Sequence, residues 1–427
     1  MTKLQSGTQP MYAKTKTDDR RAAKAAIYEE ASRLCAARCN GRVSGLVLTG
    51  SLARDEGTDV QGSGSWTLLS DAEFLLVLTD GAPLLSLRQE SLLRQSIEGN
   101  LAERGIHCKI SLSSCHADYL RGMRPNIFAY ELKACGQVVL GDPEILRLVP
   151  EFSAAQIPRE DAWRLLCNRM VEHVGVCSAF AGRPERLPRA LYYHTLKLYL
   201  DMATSLLLFV GAYEPTYQRR AARLKSLADS GSIDESGLFP LGRFAERVDF
   251  CTQSKLRGLS QEKESQLETQ PNGNWALWEE AIAYLRQLWR WELQRLTGLK
   301  AHSSDRELLK AWIRRQSVYS CLRGWVYTLR RRGWVQSWRE WPRWGWRGMR
   351  ASPRYWIYDA ASELFFLLPS LVAIIEKRTD DEIDFRELLA RLPVTSATLP
   401  KNGYPSWRRV AAEIFWNYSE FVVDTRS

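Results

Sequence analysis

The sequence predicts an α/β domain at the N-terminus followed by a mostly α-helical C-terminal region. Three observations carry this expectation. Short β-branched apolar runs alternate with helical periodicity over the first third of the chain, in the order strand, loop, strand, helix, strand. Long stretches of helical periodicity then take over, joined by brief polar or Gly/Pro-containing turns. The composition, 45% hydrophobic and 25% charged over 427 residues, is that of a folded chain with room for two or three cores.

Residues 18–39 (DDRRAAKAAIYEEASRLCAARC) place apolar positions at helical spacing, and Asn40-Gly41 ends the helix. Residues 43–49 (VSGLVLT) read as a strand that runs into Gly50-Ser51. Eighteen loop-like residues then separate Ser51 from Ser70, and their Gly62-Ser63-Gly64-Ser65 run reads as flexible. A second strand follows at 72–78 (AEFLLVL), then a helix at 84–104 and a third strand at 106–112 (IHCKISL). The text from 126 to 148 predicts a helix, a short strand at 137–140 and a further helix opened by Asp142-Pro143. Helices are expected at 160–180, 188–210, 215–229, 241–255 and 274–297. This organisation divides the chain into an α/β domain at 1–150, a helical domain at 151–300 and an Arg/Trp-rich helical region at 301–427.

A net charge of +10, unevenly distributed, favours an anionic partner without distinguishing a nucleotide, a nucleic acid and a lipid surface. The nine cysteines form no CxxC pair and follow no secretory leader, which is the pattern of reduced thiols in a cytoplasmic protein. Cys35 and Cys39 share a helix face, but no His or further Cys close by completes a metal set.

The chemistry is concentrated at TGS (49–51) and SDAEFLLVL (70–78). Residues two apart on a strand face the same way, so Asp71 and Glu73 project side by side while the LLVL run packs inward. Neighbouring carboxylates repel unless a cation lies between them, and their hard oxygens suit Mg²⁺ or Mn²⁺. Upstream, Gly50 lets backbone approach a phosphate closely, and the Ser51 hydroxyl and the amides that follow it can bind phosphate oxygens. The plain alternative is a solvated strand end.

The text LTGSLARDEG followed by SDAEFLLVL resembles the signature of the DNA polymerase beta-like nucleotidyltransferase superfamily, a Gly-Ser turn and then Asp-x-Asp or Asp-x-Glu. Within it the chain is most similar to the kanamycin nucleotidyltransferase-like, small-substrate branch, over residues of about 40–230. The resemblance implies a small mixed sheet with flanking helices followed by a helical domain. It also implies Gly50 and Ser51 on the triphosphate of an NTP co-substrate and Asp71 and Glu73 on the metal. The reaction implied is transfer of an NMP to a hydroxyl of a small molecule or protein, with pyrophosphate released. Lys197 is a further phosphate contact under this reading and Arg169 another, each set against an ordinary solvated helix charge. Two departures stand out. The gap of eighteen residues is longer than the usual ten or so, and the next strand offers Lys109, Ser111 and Ser113 where a third carboxylate is expected. A substitute base would then come from Glu172, Asp118 or Glu131, with Glu172 first because small-substrate relatives can draw a base from their helical domain. Failing that, the domain binds a nucleotide or a partner without catalysis.

Residues 311–356 hold eight of the sixteen tryptophans and eleven arginines against one acid, Glu340. They run into an apolar stretch at 355–375 whose Asp359, Glu363 and Pro369 make it a poor membrane span. Three readings stay open: tryptophans packed in the helical domain, an anionic membrane surface bound through 311–375 by a peripheral protein, or a nucleic acid gripped by Trp and Arg.

Overall fold

The computed structural model of the chain describes residues 16–62, 65–179, 187–233, 237–257, 273–300, 302–319, 321–322, 324–326, 351–374, 385–393 and 406–423. It divides into two compact units. The first comprises Met1–Arg124, Phe128–Glu151 and Leu256–Ser260, and the second takes the remainder, including 301–427.

The first unit runs α1 (Lys16–Cys39), β1 (Val43–Thr49), α2 (Gly50–Ala53), β2 (Asp59–Gly62), β3 (Ser65–Leu68), β4 (Ala72–Leu78), α3 (Leu87–Glu103), β5 (Ile106–His107), β6 (Ile110–His116), α4 (Ala117–Arg121), α5 (Ile127–Cys135) and β7 (Gln137–Gly141). Four strands form a mixed sheet in the order β6-β4-β1-β7, with β4 parallel to β6 and the other neighbours antiparallel. Leu46, Leu48, Phe74, Leu76, Ile110 and Leu112 bury one face against Ile27, Ala31 and Cys35 of α1 and Ile97 and Leu101 of α3. Leu75 and Val77, which point the other way, are equally buried. Burial on both faces is why β4 reads as a continuous apolar run rather than an alternation.

Three elements differ from expectation. The eighteen-residue loop is ordered on both sides of residues 63–64, which lie outside the described residues: β2 and β3 pair antiparallel, and β3 adds β5 to make a second, three-stranded sheet. The alternation Trp66, Thr67, Leu68 holds this hairpin, since Trp66 and Leu68 are buried and the Trp66 indole donates to Asp59 at 2.9 Å. The third strand breaks at Cys108-Lys109 into β5 and β6, each in a different sheet. After Asp142-Pro143 only a single 3₁₀ turn forms, Ile145–Leu148. The start of α3 at Leu87 is set by a capping box, Ser86 with Gln89.

The second unit is helical: α6 (Arg159–Ser178), α7 (Arg189–Phe209), α8 (Tyr217–Ser230), α9 (Leu241–Leu256), α10 (Gly273–Thr297), α11 (Asp305–Arg314), α12 (Pro353–Ile374), α13 (Arg386–Arg391) and α14 (Trp407–Tyr418). Trp163 of α6 lies at the centre, its ring 5.4 Å from Trp312, 6.4 Å from Trp289 and 5.9 Å from Tyr358. The described part of the apolar stretch, in α12, belongs to this core, because Ile357, Tyr358, Ala361, Leu364, Phe365 and Leu368 are fully buried. Among the described residues no helix is long and apolar enough to cross a membrane.

Candidate functional site

β1 and β4 pair antiparallel so that Thr49 faces Glu73 directly, and the residue after Thr49 turns the chain away from the sheet. That residue is Gly50, with φ +67°, in the left-handed region. A Cβ placed there would lie 2.5 Å from Oε1 of Glu73. The backbone calls for glycine here, and an added Cβ would in addition push aside the Glu73 carboxylate, the flexible end of its side chain. Ser51 follows in α2, and its carbonyl accepts from the Glu56 amide at 2.8 Å, which closes the turn.

Asp71 stands one residue before β4 and is 41% exposed at its side chain. Its neighbour is a cation: Nζ of Lys109 lies 3.4 Å from Oδ2 of Asp71. The parallel register accounts for this, since the Ala72 amide donates to the Lys109 carbonyl and Glu73 lies beside Ser111. Alternation along β6 buries Ile110 and Leu112 and leaves Lys109, Ser111 and Ser113 on the other side, that of Asp71 and Glu73. The position where a third acid was sought is therefore filled by Ser111, with Lys109 in front of it. Ser114 points the opposite way and donates through its amide and its hydroxyl to the buried Glu90 of α3, each at 2.8 Å.

Behind the turn, the Arg54 guanidinium donates to Glu56 at 3.0 Å and to Glu131 of α5 at 2.5 Å, with all three side chains largely buried. Glu131 is consequently committed to holding α2 against α5. Asp118 pairs with Arg121 at 2.6 Å on the surface.

Glu172, Arg169 and Lys197 lie in the second unit, where two of them meet. Arg169 is buried and donates to Asp201 of α7 and to Glu172, each at 2.5 Å. Burial alone would lower the guanidinium's pKa, but these two carboxylates raise it. The same charge disfavours protonation of the buried imidazoles beside it. Burial, then Arg169 and Lys197, bring His194 down to about 3, and His173 is held far below its ordinary value. Trp278 donates to Nε2 of His173 at 2.6 Å. Lys197 is half-buried, with its ammonium 5.6 Å from the Tyr193 ring centre. Sequence reasoning missed Asp201, whose only local signal is an acid inside an otherwise apolar helix face.

Two carboxylates are the share a protein supplies to a Mg²⁺ site that substrate phosphates and water complete. This site offers two, one of them already paired with an ammonium, and among the described residues no group of three His, Cys, Asp or Glu side chains could hold a metal ion. A groove between α1 and α3, lined by Leu34, Arg38, Leu92 and Ser96 among others, contains no carboxylate and shares no residue with the acid site. No family model, no curated protein and no solved structure matches this chain.

Proposed function

We propose that the N-terminal unit is a nucleotidyltransferase-type domain that binds a nucleoside triphosphate, with Gly50 and Ser51 at the phosphates and Asp71 and Glu73 beside them, and that it binds without transferring. The observation that supports the first half is the approach of the Glu73 carboxylate to the Cβ position of Gly50, which brings one acid of the Asp71/Glu73 motif against the Gly-Ser turn. The second half is supported by Lys109 and Ser111 on the strand where a third carboxylate would activate the acceptor hydroxyl. Losing a positioned base costs about a hundred- to ten-thousand-fold in rate.

The competing reading is metal-dependent transfer of an NMP to a hydroxyl of a small molecule or protein, with Mg²⁺ or Mn²⁺ on Asp71 and Glu73 and Glu172 as the base. Arg169 and Lys197 would then contribute phosphate contacts. The Arg169 network with Asp201 favours a structural role for that residue instead. Incubation of the full chain with labelled NTPs, metal and hydroxyl acceptors separates the two. Acceptor-dependent pyrophosphate release would refute the binding-only reading, and nucleotide binding without it is the expected result.

A second partner is proposed for the C-terminal region, an anionic membrane surface. Residues 327–350 lie outside the described residues, and the burial of Trp312 and of α12 removes much of 311–375 from any such surface. What supports the proposal is a ridge at helical spacing, Val318, Tyr319, Leu322 and Val326, which are 75%, 72%, 58% and 45% exposed. They lie in a tract with eleven arginines and one acid, which suits an anionic headgroup layer better than a neutral one. Sedimentation with phosphatidylserine vesicles at low salt is expected for the wild type and lost in Val318→Asp/Leu322→Asp. A protein that stays in the supernatant in both forms refutes it.

A further inference from the structure

We infer that Lys109 is a phosphate-binding residue that takes the place of one metal ion at the Asp71/Glu73 site, so that the nucleotide binds there without a divalent cation. The inference rests on the nucleotide-binding reading of the same site and deepens it.

Two carboxylates two residues apart at the head of a strand favour a positive neighbour, and in a metal-dependent transferase that neighbour is the ion. Here the chain supplies its own. The ammonium of Lys109 stands 3.4 Å from Asp71, one residue before β6, where the parallel register of β6 with β4 brings it alongside the acid. The pair is not sealed. Lys109 is 75% exposed at its side chain and Asp71 41%, so an incoming anion can share the ammonium without dismantling the core. A lysine is suited to this, being a compact charge with three donors on a flexible stem.

The charge balance points the same way. A site with three carboxylates repels a triphosphate strongly and must hold metal to accept it. On the face formed by β4 and β6 this site carries Asp71 and Glu73 against Lys109, while Ser111 and Ser113 add neutral hydroxyl donors. A single net negative charge leaves far less for a metal to cancel, and it also leaves little to bind one. Weak metal affinity and metal-free nucleotide binding are thus two consequences of one arrangement.

The test is nucleotide binding to the full chain, by calorimetry with ATP and GTP, in EDTA and in Mg²⁺. The wild type is expected to bind in EDTA, with less than about a tenfold change on adding Mg²⁺. Lys109→Ala should weaken binding in EDTA by about ten- to a hundredfold, the loss typical of a charge-assisted hydrogen bond, and Lys109→Arg should restore most of it. Lys109→Glu, which recreates an acid on this face, should make binding depend on Mg²⁺. Strict dependence of the wild type on Mg²⁺, or indifference to Lys109→Ala, overturns the inference while leaving the nucleotide-binding reading in place. Failure to bind under both conditions, unaltered by Asp71→Ala, overturns both. Far-UV circular dichroism of each variant accompanies the titrations, and the exposure of Lys109 means that folding is retained.

Discussion

Gly50 concentrates what single residues contribute to the first unit. Substitution by alanine meets two penalties, a positive φ of +67° and a Cβ at 2.5 Å from the Glu73 carboxylate. The expected loss of stability is about 2–4 kcal/mol, read from the urea midpoint. Gly41 supplies the comparison, because it has φ +74° but nothing within 4 Å of its Cβ position. Gly41→Ala should therefore cost only about 1–2 kcal/mol, the backbone part alone. Adding Glu73→Ala to Gly50→Ala should recover the difference, and a strictly additive double mutant would show that the carboxylate is not the obstacle. The residue types at this turn were legible from sequence, since Gly-Ser after a strand and acid-x-acid before one are local patterns. Their contact was not, because it depends on the pairing of Thr49 with Glu73 across twenty-four positions.

Among elements, the buried ion network of α6 and α7 is the sharpest case. Arg169 was a candidate phosphate contact by sequence, yet its guanidinium is spent on Asp201 and Glu172 inside the second unit. Arg169→Met leaves Asp201, itself 7% exposed, as an unpaired buried carboxylate and should cost about 3–5 kcal/mol. Thermal unfolding followed by circular dichroism checks this, and a change under about 1 kcal/mol would mean that the network contributes little. The double variant Arg169→Met/Asp201→Leu should recover much of the loss, since an apolar replacement of a whole buried pair is often neutral. Helix existence was legible in this region: α6, α7, α8, α9 and α10 fall where 3.6-residue periodicity places them. The hairpin of β2 and β3 was not, because Gly62-Ser63-Gly64-Ser65 masks a strand alternation only four residues long on each side.

For the molecule as a whole, Glu292 sets a pH dependence that no motif announces. It is fully buried on α10, accepts from the Ser205 hydroxyl at 2.7 Å, and has no partner for its other oxygen. Burial pushes its carboxyl up to about 8 from an ordinary 4.5, while the Ser205 bond opposes the shift. The folded chain thus retains a proton that the unfolded chain releases, so stability falls as pH rises from about 4.5 to about 8 and levels off above. The slope from this group is at most about 1.4 kcal/mol per pH unit. Glu292→Gln keeps the acceptor for Ser205 and should flatten that part of the profile, making the variant more stable than the wild type at pH 8. Urea denaturation at several pH values measures it, and parallel profiles for the two proteins would show that Glu292 is ionised in the folded state.

By itself the sequence determined the helices α6 to α10 of the second unit and the strands β1 and β4, where the Gly-Ser turn and the acid pair lie, and that the next strand carries no carboxylate. Each of these depends on neighbours within a few positions, through side-chain alternation, helical spacing or turn chemistry. Only the tertiary structure decided which side chains meet. It set Lys109 against Asp71, committed Glu131 to Arg54 and Arg169 to Asp201, and placed the apolar stretch of α12 in a core rather than at a surface. Strand register and helix packing join residues far apart in the chain, and the burial that shifts a carboxyl such as Glu292 arises only when those distant elements close around it.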